Sequence, residues 1–184
     1  FYGGLVSASE VDIKITSDPD GVMVEHRGNR VHVRRDQDKS QVINPSFQLT
    51  SRKCPPFCIQ PMHLPDGVET IGEIEMLDYL ARRTEGDDSI VIIDSRGGRW
   101  YGRGTIPGAV NIHYKRLSLR SAEESDIADI LEQQFGAQRY DKLWNFSGAK
   151  TLVMFCNGAW CGQSPANIRS LMRMGYPPSK IKWY

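Results

Sequence analysis

VMFCNGAWCGQSPANIRSLM, from Val153 to Met172, holds an apolar run, two cysteines and the opening of an amphipathic segment. TLVMF, Thr151 to Phe155, is short and apolar, which predicts a strand buried on both faces. Beyond the loop, Ser164 is placed to cap a helix with Pro165 at its first position. Ile168, Leu171 and Met172 form the helix's apolar stripe, and Gly175 is its stop. Cys156 therefore sits where a strand feeds a loop and then a helix. In an open α/β sheet that edge is where chemistry collects. Converging backbone N–H groups and the helix N-terminus lower the pKa of a thiol placed there. The expectation is a thiolate nucleophile, or a carrier of an anionic sulfur species.

The same alternation continues upstream and downstream. IVIID (Ile90 to Asp94), AVNI (Ala109 to Ile112) and the final IKWY read as further strands. Thr70 and Glu73 fit a capping box for a helix whose apolar face is Ile71, Ile74, Leu77, Leu80 and Ala81. Ile127, Ile130, Leu131 and Phe135 mark a second amphipathic helix. Helices interleaved with apolar strands predict an α/β fold, a parallel sheet covered on both faces.

The N-terminal part has another texture. VDIKI (Val11 to Ile15), VMVEH (Val22 to His26) and RVHVR (Arg30 to Arg34) alternate with period two, and RGN (Arg27 to Asn29) suits a hairpin turn. Prolines at 45, 55, 56, 61 and 65 then favour extended backbone. The expected organisation is a β-rich appendage over 1–43, a proline-rich connector over 44–67, and an α/β domain over 68–184.

With a formal net charge of +1 and no long run of one sign, the 184-residue chain offers little to nucleic acid or to an anionic membrane surface. No apolar run approaches the roughly 20 residues of a membrane helix. The chain begins with phenylalanine, so a signal or membrane anchor would precede residue 1. Four cysteines in two close pairs, Cys54/Cys58 and Cys156/Cys161, suit an oxidising compartment and place the expectation on a periplasmic or otherwise exported protein, with the cytoplasm as the alternative.

Two motifs in order, the cysteine loop and IIDSRGGRWYGRGTIPGAVNI before it, resemble the rhodanese-like sulfurtransferase family. The second carries the family's aspartate-x-arginine strand end and its glycine-x-isoleucine-proline-glycine-alanine-x-asparagine segment, here Asp94, Arg96, Gly104, Ile106, Pro107, Gly108, Ala109 and Asn111. The resemblance covers about Glu69 to Tyr184. It implies a doubly wound α/β domain of rhodanese type and a sulfur-carrying cycle without cofactor or metal. Cys156 would take sulfane sulfur from a small donor, hold it as a persulfide and pass it to a thiol. Backbone N–H groups from Asn157 through Gly158, Ala159, Trp160 and Cys161 to Gly162 would cradle the persulfide anion.

Three features depart from the family pattern. The loop NGAWCGQ has no basic residue, so doubly charged thiosulfate is expected to be a poor donor beside a persulfide or polysulfide. Thr105 stands where histidine is frequent. The glycine-glycine turn and final helix that usually follow are not in this sequence, so either the chain is cut short or a partner covers that face.

Other residues carry open readings. Cys161 is either a small space-filling residue or a resolving thiol that would attack the persulfide, which leaves a dithiol redox protein as an alternative. A phosphatase is excluded, since it needs an arginine at position 162, which is glycine. Trp160 is either a lid or a core wedge. Asp94 and Arg96 are expected to pin loops, with Arg96 restoring some positive charge if it lines the pocket. Cys54 and Cys58 are expected to form a structural disulfide; free thiols, a redox pair or a metal site with His63 are the other readings. His26 and His32 are expected to be inert on surface strands, and His113 is not expected to face the pocket. A further alternative keeps the fold without turnover, as an interaction module in a larger, membrane-associated assembly docked through the appendage.

Overall fold

The computed structural model of the protein describes residues 12–18, 20–48, 53–59, 62–64, 67–141 and 143–184. Val11, Pro61 and Pro65 of the readings above lie outside them. The hairpin is β1 (Gly21–His26) and β2 (Asn29–Arg34). Its two-residue turn has Arg27 and Gly28 both at positive φ, 52° and 78°, the backbone that matches the twist of paired strands. A third N-terminal strand is not formed by Asp12 to Ile15. Instead Ile13 is held by the Gln37 side chain, which accepts from its N–H at 2.9 Å and donates to its carbonyl at 2.7 Å.

The main body follows as β3 (Glu69–Thr70), α1 (Glu73–Thr84), β4 (Ile90–Asp94), α2 (Gly98–Arg103), β5 (Val110–Asn111), α3 (Glu124–Asp129), β6 (Gln138–Tyr140), β7 (Leu143–Asn145), β8 (Thr151–Phe155), α4 (Gln163–Arg173) and β9 (Ile181–Trp183). Five strands make one parallel sheet in the order β3-β9-β8-β4-β5. The register pairs Ile90 with Thr151 and Asp94 with Phe155, so β4 and β8 end side by side. Their alternating side chains feed two cores. Ile93, Leu152 and Met154 pack with Ile127, Ile130, Leu131, Phe135, Ile168 and Leu171 from the segments after β5 and β8, while Ile90, Ile92, Val153 and Phe155 pack with Met76 and Leu80 of α1. Both faces of the sheet are thus covered, as the apolar strands require. Among the described residues no helix is long and apolar enough to cross a membrane.

Helix boundaries differ from the pattern reading where turn chemistry decides them. α1 begins two residues later than Thr70 suggested, because Glu75 folds back to accept from the Gly72 N–H at 2.9 Å. Thr70 lies in β3 and donates to the Met62 carbonyl at 2.6 Å. The buried face of α1 turns toward Met76 and Leu80, leaving Ile74 exposed. α4 begins at Gln163 with Gly162 as its cap, which frees the Ser164 hydroxyl for other partners. Helix α2 and the β6–β7 hairpin carried no periodic signal in the sequence.

The N-terminal hairpin is built into the second core: Val22 and Val24 are buried with Met76 and Leu80. His26, read as inert, accepts through Nδ1 from the Gly108 N–H at 3.1 Å. Gly108 has φ +83°, and a Cβ there would lie 2.8 Å from Val24 Cγ1. Gly108→Ala is therefore expected to cost about 1–3 kcal/mol, from backbone strain and displacement of the hairpin. Urea denaturation measures it; an unchanged midpoint would show that the hairpin is not seated on Gly108.

Cys54 and Cys58 form a disulfide with their Cα atoms 4.5 Å apart, which removes both thiols from the metal and free-thiol readings. The Cys54–Pro55 and Pro55–Pro56 peptide bonds are cis.

Candidate active site at Cys156

The parallel ends of β4 and β8 bring Asp94, Ser95 and Arg96 beside Cys156, and the Ser95 N–H donates to the Phe155 carbonyl at 3.0 Å. Asp94 is fully buried and is the hub. It accepts from the Arg96 N–H at 3.0 Å, from Arg96 Nε at 2.9 Å and Nη2 at 2.6 Å, and from Thr105 Oγ1 at 2.8 Å. The Arg96 guanidinium, whose residue is only 6% exposed, also donates to the Gly104 carbonyl at 2.7 Å and to Asn157 Oδ1 at 3.2 Å. One planar side chain thereby ties β4 to the segment before β5 and to the Cys156 loop, as a guanidinium fork can and an ammonium cannot. Asn111 Nδ2 closes the arrangement by donating to the carbonyls of Asp94 and Arg96 at 2.9 and 2.7 Å.

Ser164 is oriented from below by Trp183 of β9, whose Nε1 donates to its hydroxyl oxygen at 3.0 Å. That hydroxyl in turn donates to Cys156 Sγ at 3.2 Å. The Cys156 pKa is lowered from 9.0 to about 6 by hydrogen bonds from the Cys161 thiol, from the Ser164 hydroxyl and from the backbone N–H groups of Ser164 and Asn157, against the opposing effect of burial. The Cys161 carbonyl oxygen, 3.4 Å from the sulfur, favours the protonated form, and these donors outweigh it. Near neutrality the sulfur is thus mostly thiolate. Cys161 is pushed the other way, well above the ordinary thiol range, by its hydrogen bond with Cys156 and by burial, and its thiol also has Gln163 Oε1 as an acceptor at 3.7 Å.

A family model for the rhodanese-like domain matches residues 76–184. The chain belongs to the rhodanese-like domain family. Among solved structures, SseA from Escherichia coli, described by its rhodanese fold and the catalytic mechanism of 3-mercaptopyruvate sulfotransferases, is 20% identical with a TM-score of 0.40. The match covers 63% of this chain and 39% of that one, so the chain spans well under half the length of SseA. None of the curated proteins matches the chain.

The cleft of the rhodanese-like domain, about 560 Å³, opens over Cys156 between Arg96, Thr105, Ile106 and Phe155. Its other walls are Gly104, Pro107, Tyr184, and, from the N-terminal part, Val33 and Phe47. Of the residues singled out in the sequence for binding, Arg96 lines this cleft, whereas Asn157, Gly158, Ala159, Trp160 and Gly162 do not. In the Cys156 loop the Cys161 N–H is engaged by the Gly158 carbonyl at 2.9 Å, and the backbone N–H groups of Asn157 and Ser164 reach the Cys156 sulfur. Trp160 is half-buried. His113 accepts through Nδ1 from the Lys115 N–H at 3.4 Å and is not among the lining residues.

Ser164, Thr105, Val33 and Phe47 were not recognised as site residues in the sequence. Ser164 had a stronger reading as a helix cap, Thr105 stood out only as a departure from the family pattern, and Val33 and Phe47 carry no chemistry of their own. The restored positive charge looked for at Arg96 is matched by Asp94, at 2.6 Å in the same buried pair. Among the described lining residues the cleft has no uncompensated cation.

Proposed function

We propose that the rhodanese-like domain is a sulfurtransferase or persulfide carrier working through Cys156. The observation that supports this best is the sulfur itself, a thiol with its pKa lowered to about 6, held by several donors and open to a cleft. In the first step the thiolate attacks the outer sulfur of a donor R–S–SH. The S–S bond breaks, R–S⁻ leaves with the electron pair, and Cys156–S–SH remains. In the second step the thiolate of an acceptor attacks the outer sulfur, forms its own persulfide and returns Cys156 as thiolate. The donors around Cys156 Sγ stabilise it as leaving group in that second step.

A persulfide or polysulfide is the donor class this site suits. Thiosulfate carries two charges, and the charge of Arg96 is already spent on Asp94. A missing charge-assisted hydrogen bond, about 1.5–3 kcal/mol, makes thiosulfate slower by roughly ten- to a hundredfold. Intact mass after incubation with inorganic polysulfide or thiosulfate tests both statements. Expected is a gain of ~32 Da per sulfur carried, in wild type and Cys161→Ser but not in Cys156→Ser, with thiosulfate loading far more slowly. No gain from any donor would overturn the carrier and favour an interaction module. A loss of two hydrogens that needs both cysteines would instead support the dithiol redox reading.

A further inference from the structure

We infer that the N-terminal segment supplies a substrate wall to the Cys156 cleft, and that the donor it selects is an organic persulfide with an apolar substituent. This rests on the persulfide reading above and narrows it to a chemical class. Two residues outside the matched region, Val33 of β2 and Phe47, line the same cleft as Cys156. Phe47 lies against Gly104: a Cβ at Gly104 would come within 3.2 Å of the ring's Cζ. Phe47 is nevertheless 46% exposed, so its ring has apolar surface left for a ligand to cover.

The hairpin that carries Val33 is fastened in place. His26 holds Gly108 on the strand-end segment, Arg35 pairs with Glu73 of α1 at 3.3 Å, and the Arg27 guanidinium lies 4.8 Å from the centroid of the Tyr101 ring. Phe47 itself closes a turn by donating its N–H to the Asn44 carbonyl at 2.8 Å. A fixed wall selects among substrates because little ordering is left to the moment of binding.

The occupant follows from the chemistry of the walls. Val33, Phe47, Ile106, Pro107 and Phe155 are apolar, and Arg96, the one charged residue among the described lining residues, is neutralised by Asp94. An inorganic dianion would shed its hydration without gaining a counter-charge. An R–S–SH whose R group is aliphatic or aromatic places its reactive sulfur at Cys156 and its substituent against Phe47 and Val33. The cleft volume of about 560 Å³ is that of a small-molecule site.

The test measures the second-order rate of sulfur loading onto Cys156 by intact mass with methyl, ethyl and propyl persulfides, and with inorganic polysulfide as reference. Each added methylene that is buried raises the wild-type rate roughly fourfold, the equivalent of about 0.8 kcal/mol per buried CH₂. Phe47→Ala and Val33→Ala flatten this dependence, and Phe47→Leu, which keeps apolar volume, recovers most of it. The wild-type series needs no variant to fold, so the inference stands or falls on it first. A rate independent of chain length overturns the apolar wall while leaving Cys156 as carrier, and so does a dependence left intact by both alanine variants. Failure to load from every donor, inorganic polysulfide included, overturns the carrier reading and the wall with it.

Discussion

Asp94→Ala is expected to lower the unfolding free energy by about 3–5 kcal/mol, because it strands the buried Arg96 guanidinium without its counter-charge. The loss reflects the penalty of the unpaired ion more than any net gain from the pair, since both partners are desolvated in the native protein. Three donors of Arg96 and the hydroxyl of Thr105 converge on this one carboxylate. For a domain with a net stability of about 5–15 kcal/mol the effect is a large fraction of the whole. Asp94→Asn keeps acceptor capacity and should lose less. Urea unfolding followed by tryptophan fluorescence reads the difference; a change below about 1 kcal/mol in Asp94→Ala would show that Arg96 escapes to solvent. The loop should loosen too, since Arg96 Nη1 also holds Asn157 at 3.2 Å.

Alkylation of Cys156 by iodoacetamide is expected to rise with pH through a midpoint near 6 and to level off above it, since only the thiolate attacks. At neutral pH this leaves about a hundredfold more thiolate than an unperturbed thiol with a pKa of 9.0 would have. Part of that advantage is returned, because nucleophilicity falls as the pKa falls. The midpoint is therefore the sharper observable. Cys161→Ala removes the leading cause and should move it upward by about one to two pH units, the equivalent of a charge-assisted hydrogen bond of roughly 1.5–3 kcal/mol. Ser164→Ala moves it the same way, and also destabilises the protein by about 1–3 kcal/mol by leaving the buried Trp183 indole N–H without its acceptor. An unmoved midpoint in Cys161→Ala would show that the second cysteine does not support the first. A raised midpoint in Cys161→Ala would add thiolate support to the two readings of Cys161, space filler and resolving thiol.

Local signals carried most of the framework. β4 and β8 are short apolar runs, the α4 stripe has helical period, and Cys156 lies between β8 and α4. All of these are properties of a few neighbouring residues. The hub of Asp94 and Arg96 was legible for the same reason, as an acid and a guanidinium two residues apart at a strand end. Turn chemistry shifted the starts of α1 and α4, because Glu75 and Gly162 took the capping roles that Glu73 and Ser164 seemed to fill.

What the sequence determined by itself is therefore four of the five strands of the sheet, the helix after the cysteine loop and the place of Cys156 at a strand end, each specified by spacing along the chain. Only the tertiary structure decided that the hairpin joins the core, that Val33 and Phe47 wall the cleft, and that Cys161 and Ser164 converge on one sulfur. Such relations depend on residues far apart meeting in space, as His26 and Gly108 do across 82 positions. No local pattern encodes that meeting, since it follows from how the packed faces of α1, the hairpin and the sheet exclude water together.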